Sequence, residues 1–148
     1  MKKLFSLLLL AAFLLCAATA LAQTVPVPQA SVVLTLPDTF TPVPPSPGDD
    51  RSLILQLSDG TVDLAVYVSY AGTGTPFLVL TGDETEYGPV TINGMEMQYT
   101  RGNDESGAYA SYSWLRGPDS VTLYFVWSGN DTSALRLISE IMNSISPL

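Results

Sequence analysis

The sequence predicts an α+β fold, an antiparallel β-sheet of about six to eight strands with a C-terminal helix packed on one face. Three observations predict it. From Arg51 onward apolar and polar residues alternate with a period of two. The alternating runs are separated by the turn sequences Asp59-Gly60, Asn93-Gly94 and Gly117-Pro118-Asp119-Ser120. Only the last segment carries apolar residues at helical spacing.

The first residues follow another pattern. Lys2 and Lys3 precede an apolar run from Leu4 to Leu15, broken only by Ser6, and Ala20-Leu21-Ala22 then offers small side chains where a signal peptidase needs them. This predicts a signal peptide over 1–22, cleaved between Ala22 and Gln23. An apolar run of about 12 residues is shorter than the ~20 that cross a bilayer, so no stable membrane anchor is expected after cleavage. Extended to Ala22 the run reaches spanning length, which leaves an uncleaved anchor as the competing reading. Cys16 follows Leu15, where lipoprotein processing needs a small residue, so lipidation is not expected.

After the leader, residues 23–30 read as an extended, proline-containing N-terminal tether, and 31–148 as a single α+β domain. Val32–Leu36 is the first strand candidate. The cluster Pro42, Pro44, Pro45 and Pro47 excludes helix and central strand and predicts a stiff surface loop. A two-residue turn at Asp59-Gly60 pairs Leu57 with Val62, Leu55 with Leu64 and Leu53 with Val66, all on one face. Phe77–Thr81 is a further strand candidate. Closure at Asn93-Gly94 puts Val90, Ile92, Met95 and Met97 on one face. Symmetric closure at Gly117–Ser120 pairs Trp114 with Leu123, Tyr112 with Phe125 and Ala110 with Trp127. The helix begins among the capping side chains of Asn130-Asp131-Thr132-Ser133, presents Leu135, Ile138, Met142 and Ile145 with Leu137 and Ile141 beside them, and ends at Ser146-Pro147.

Composition excludes several kinds of chemistry. Beyond the leader there is no His, Cys or Lys. That removes Ser-His-Asp and Cys-His nucleophiles, Schiff-base lysines, thiol redox chemistry, and the imidazole and thiolate ligands of zinc, copper and iron sites. No cofactor is expected: Gly72 and Gly74 lack the spacing and lysine of a phosphate-binding loop. Four arginines, Arg51, Arg101, Arg116 and Arg136, face fourteen carboxylates. Such a surface repels phosphate backbones, so nucleic acid is not an expected partner.

Carboxylates and phenols remain. Gly82-Asp83-Glu84-Thr85-Glu86 and Gly102-Asn103-Asp104-Glu105 lack EF-hand spacing and read first as solvated turns, with calcium-holding acidic loops as the alternative. Tyr67, beside Asp63 and Ser69 on the polar face of its strand, reads as exposed. Asn130-Asp131-Thr132 matches a glycosylation acceptor and also makes a good helix start.

A first strand ending in Leu36-Pro37-Asp38-Thr39-Phe40 is followed by hairpins, the segment Thr91-Ile92-Asn93-Gly94-Met95-Glu96-Met97-Gln98-Tyr99-Thr100, two long strands and the closing helix from Ala134 to Ile145. This order resembles the PsbP-like superfamily, which includes the DcrB-type bacterial envelope proteins. The half from Ile92-Asn93-Gly94 through Trp114 to the helix is also similar to extracellular domains of unknown function found in Gram-positive bacteria. The middle helix of the PsbP-like pattern is not recognisable here. The resemblance implies an antiparallel sheet covered by helix, and an accessory or binding role without a shared active site or transferable functional residues.

The function expected from these observations is an exported, non-catalytic accessory or binding module of the bacterial envelope or medium. Its compartment would be periplasmic, cell-surface or extracellular, and its partner a protein, peptide or glycan. A calcium-dependent binder or a carboxylate-only hydrolase is the alternative.

Overall fold

The computed structural model describes residues 22–44, 46, 52–69, 86–104, 107–128 and 132–148. The alternating runs form the strands β1 Ala22–Val27, β2 Val32–Pro37, β3 Thr41–Pro42, β4 Leu53–Ser58, β5 Val62–Ser69, β6 Glu86–Ile92, β7 Met95–Asp104, β8 Gly107–Arg116, β9 Asp119–Trp127 and β10 Ser146–Pro147. The helix α1 spans Thr132–Ser144. The class is α+β, but the ten described strands form two sheets rather than one. A seven-stranded sheet runs β3-β4-β5-β9-β8-β7-β6, and a three-stranded sheet runs β1-β2-β10. The small sheet escapes sequence reading because β10 is only two residues long and β1 carries Pro26. Residues 23–30, read as a tether, are extended but docked: β1 pairs along β2, and Pro28–Ala30 forms a single 3-10 turn. The strand candidate Phe77–Thr81 lies outside the described residues.

Three hairpins test the sequence-based registers. At Asn93-Gly94 both turn residues have positive φ, 50° and 80°, as a two-residue primed turn requires. Ile92 pairs with Met95 and Val90 with Met97, as expected. The other two hairpins are displaced by two residues. Leu57 pairs with Leu64 and Leu55 with Val66, while an irregularity between Leu53 and Leu55 places Leu53 opposite Tyr67. Trp114 pairs with Val121, Tyr112 with Leu123 and Ala110 with Phe125. Side chains change face with every single residue, so the shift of two leaves the faces of Leu55, Leu57 and the β8–β9 pairs as expected, whereas Leu53, opposite Tyr67 instead of Val66, loses its expected face and Ile54 packs on the core.

The inner face of the large sheet carries Val62, Leu64, Val66 and Val68 from β5, with Val121, Leu123, Phe125 and Trp127 from β9. Val32, Leu34 and Leu36 of β2 and Ala134, Ile138, Ile141, Met142 and Ile145 from the α1 segment complete one buried cluster. Small sheet and helix thus form a second layer over the large sheet, each burying one apolar face. The helix stripe runs through Ala134 rather than Leu135, which is only partly buried.

Side chains tie the layers together. The Ser144 hydroxyl accepts the Thr35 N–H at 3.1 Å, and lies 3.1 Å from the Thr35 carbonyl and 2.7 Å from that of Ile141, either of which can take its proton. It thereby continues the edge of β2 beyond β10. Asn93 Nδ2 donates to the carbonyls of Asn143 and Ile145 at 2.9 and 2.8 Å, capping the C-terminal end of α1 from the β6–β7 turn. Arg116 Nη1 donates to the Gln29 carbonyl, and Nη2 bonds Asp119 Oδ2 at 2.9 Å. This clamps the β1–β2 turn to the β8–β9 turn.

Each edge strand of the two sheets holds a proline: Pro26 in β1, Pro147 in β10, Pro42 in β3 and Pro89 in β6. Leu148 N–H donates to Ser31 O at 2.9 Å and Val43 N–H to Gln56 O at 3.0 Å. The neighbouring Pro147 and Pro42 therefore turn their nitrogens outward. Since Ser31 and Val33 of the small sheet face β10, Val32 and Leu34 face β1, so Pro26 opposite Val33 also points out. In β6 the two-residue turn makes Ile92 and Val90 the bonded positions, which leaves Pro89 on the free side. Each of these four prolines thus removes a donor from a strand that is outermost among the described residues, where unpaired N–H groups would invite strand addition.

Candidate functional site

The face of the large sheet turned away from the second layer mixes polar side chains with the phenols of Tyr67, Tyr109 and Tyr124. Tyr67, Thr122, Ser113, Gln98 and Pro89 stand in one row across β5, β9, β8, β7 and β6. Thr122 and Ser113 are buried, and their hydroxyls share a hydrogen bond of 2.9 Å. At the Asn93-Gly94 end this face hollows into a groove of about 720 Å³ lined by Pro89, Thr91, Glu96, Gln98, Ser113 and Leu115, with parts of their neighbours. Leu115 is 64% exposed.

Strand pairing places these groups. Alternation in β7 sends Met95 and Met97 inward and Glu96 and Gln98 outward. The β7–β8 register then sets Gln98 beside Ser113. A carboxylate, a carboxamide and two hydroxyls converge on a wall formed by Pro89 and Leu115. Among the described residues, Glu96 is the only ionisable side chain lining the groove. Hydrogen bonding to a hydroxylated or amide-bearing ligand is within its chemistry; paired acid–base transfer needs a second titrating group.

Aromatic side chains stand on both faces: Tyr109 and Tyr124 lie 6.0 Å apart on the outer face, and a second group lies on the inner one. The Tyr99 and Tyr112 rings lie 5.1 Å apart, and Tyr112 meets Phe125 edge-on at 6.2 Å. Burial pushes the Tyr112 phenol up to about 12, the neighbouring Tyr99 adds to the shift, and Arg101 opposes it. Burial also raises Tyr99, opposed by Arg101 and reinforced by Glu86. Both phenols stay protonated at neutral pH and serve as packing and hydrogen-bonding groups.

The residues singled out by sequence are scattered. Ala22, which is exposed, and the half-buried Gln23 are the first two positions of β1, where Gln23 Nε2 donates to the carbonyls of Pro37 at 3.1 Å and Phe40 at 2.7 Å. Gly102 and Asn103 are not loop residues. They belong to β7, paired with Tyr109 and Ala108. Gly102 is needed there because a Cβ would stand 2.7 Å from the hydroxyl of the fully buried Tyr109. The acidic segment at 82–85 and the Asn130-Asp131 pair lie outside the described residues. Among the described residues no group of three or more carboxylate, imidazole or thiol side chains is placed to hold a metal ion. Tyr67 is half-buried rather than exposed. Sequence reading missed Glu96, Gln98, Ser113 and Leu115. The alternation that assigns Met95 and Met97 to the core already sends Glu96 and Gln98 outward, but only the twist of three paired strands makes the surface concave.

Two layers, a seven-stranded antiparallel sheet under a small sheet and a C-terminal helix, define the class: a PsbP-like α+β fold. No protein-family model matches the chain, and neither does any curated protein. Among solved structures, the cyanobacterial PsbP (CyanoP) from Synechocystis sp. PCC 6803 is similar over 90% of this chain and 96% of its own, with a TM-score of 0.62 and 11% identity. A crystal structure from Bacteroides thetaiotaomicron VPI-5482 is similar over 85% of this chain and 48% of its own, with a TM-score of 0.53 and 11% identity. At this identity the likeness shows the fold alone. It agrees with the family resemblance carried by the strand order and the closing helix. Among the described residues no helix is long and apolar enough to cross a membrane.

Proposed function

We propose that the chain is an exported, non-catalytic binding module whose groove over β6, β7 and β8 takes a neutral or cationic, hydroxyl- or amide-rich ligand, a glycan or a peptide segment. One observation carries this reading. The groove gathers Thr91, Glu96, Gln98 and Ser113 around an exposed apolar wall, with a single ionisable group among the described residues that line it. The excess of carboxylates over arginines favours the same ligands, since anions are repelled before they reach the groove. Export is supported by Lys2 and Lys3, the apolar run and the small residues at Ala20 and Ala22.

The test is a titration of soluble oligosaccharides and short peptides into the purified chain, followed by amide NMR shifts. Saturable shifts at Thr91, Glu96, Gln98 and Leu115, weakened at least tenfold in affinity by Glu96→Gln combined with Gln98→Ala, are expected; tenfold corresponds to about 1.4 kcal/mol. Saturable binding confined to another face overturns the assignment of the groove. Robust turnover in a hydrolase screen, abolished by changing one carboxylate, overturns the non-catalytic reading.

A further inference from the structure

Cleavage between Ala22 and Gln23 would make Gln23 the first residue, and an N-terminal glutamine can close on itself. The α-amine attacks Cδ of the side-chain amide, a new C–N bond forms, the Cδ–Nε2 bond breaks, and ammonia leaves with the protons that balance it. The five-membered lactam carries no positive charge, and no oxidant or co-reactant is consumed. Nothing in the leader pattern says whether this happens; the fold does.

Both reacting ends of Gln23 are held. Nε2, the leaving group, donates to the carbonyls of Phe40 and Pro37 at 2.7 and 3.1 Å. Pro37 ends β2 opposite Ala22 and Phe40 follows it, so the side-chain amide is bound to the chain at the end of β2. The main chain of Gln23 stands opposite Leu36. Thr35 directs its N–H to Ser144 on the far side of β2. Leu36, the next residue, therefore directs its own groups toward Gln23, and the Gln23 nitrogen bonds its carbonyl. Closure would have to lift the nucleophile from Leu36 and the leaving group from two further carbonyls.

We propose that Gln23 is a fold-protected cyclisation site: the unfolded mature chain converts its N-terminus to a pyroglutamyl lactam, and docking of β1 on β2 keeps the folded chain open. The proposal rests on the leader being cleaved before Gln23. It makes the covalent state of the N-terminus a record of how quickly β1 docked after export, because the lactam lacks the nitrogen that reaches Pro37 and Phe40 and cannot restore those bonds.

The experiment is intact-mass analysis of mature protein recovered after export, freshly isolated and then incubated at one pH and temperature with and without unfolding concentrations of urea. Fresh protein beginning with an open Gln23, which loses ammonia at least tenfold faster in urea than in buffer, is the expected result. Equal rates in the two conditions, or freshly isolated protein already fully converted, overturn the proposal while leaving the cleavage reading standing. A mass that begins at Met1 overturns both. A Gln23→Ala variant, which folds without the side-chain amide, must show no ammonia loss in either condition; any loss there places the reaction at another residue and overturns the assignment.

Discussion

The β6–β7 and β8–β9 hairpins both close on two-residue turns, yet they are held in different ways. In the first, Asn93 and Gly94 both adopt positive φ, 50° and 80°. Few residue pairs tolerate that backbone, so the turn locates itself. In the second, only Gly117 is left-handed, at 59°, and Pro118 follows with its φ fixed in the negative range, the pattern of a II′ turn. Its closure is reinforced from the flanks, by Arg116 reaching Asp119 across the turn and Gln29 in the other layer. A turn that locates itself can also serve a remote element, and Asn93 does so by capping α1. A turn located from its flanks depends on such contacts.

Separating the two roles of Asn93 is the largest test of this contrast. Asn93→Asp preserves a residue that tolerates left-handed backbone but replaces two donors by a carboxylate facing the Asn143 and Ile145 carbonyls, at the negative end of the helix. We expect a loss of about 2 kcal/mol in urea unfolding. Asn93→Gly keeps the turn conformation and removes only the cap, for about 1 kcal/mol. Equal losses from the two variants would mean that the side chain acts on the turn alone.

Arg116→Met comes next. The methylene stem is largely preserved, while the ion pair with Asp119 and the bond to the 3-10 turn are lost. The Arg116 and Asp119 side chains are 31% and 16% exposed, so the expected cost is moderate, about 1.5 kcal/mol. If the clamp joins the layers, amide exchange should accelerate in β1 and β2 as well as at the β8–β9 turn. Acceleration confined to the β8–β9 turn would show that the two layers hold together without it.

Much of this was legible in the sequence because period-two alternation sets faces independently of register. Leu55, Leu57, Leu64 and Val66 share a face whether β4 is displaced by two residues or not. The same argument places Glu96 and Gln98 outside once Met95 and Met97 are inside. Register was legible only where turn chemistry allows one answer, at Asn93-Gly94. At Asp59-Gly60 and Gly117-Pro118 it depends on side chains that reach past the turn, which alternation does not encode. The small sheet was illegible for another reason. Pro26 and Pro147 look like strand breakers until the strands carrying them are known to be edges. The groove needs both registers and sheet twist, so its residues were visible singly and not as a group.

Asp59 gives the finest test, because its carboxylate acts only within its own turn. Asp59 Oδ1 accepts the Thr61 and Val62 N–H groups at 2.8 and 2.7 Å, which makes Asp59 the residue before the turn and puts Gly60, at φ 84°, in its first central position. That shift of one place at each end accounts for the two-residue displacement of β4 against β5. Asp59→Ala removes the carboxylate that selects this arrangement, at a cost of about 1 kcal/mol. Other pairings still hold β4: Thr41 and Pro42 of β3 stand opposite Ser58 and Leu57, and Val68 N–H donates to the Ser52 carbonyl at 2.8 Å. We therefore expect cross-strand NMR contacts between Leu57 and Leu64 to persist in the variant. Their replacement by contacts between Leu57 and Val62 would show that the carboxylate alone sets the register, and that this hairpin, like β6–β7, is located from within.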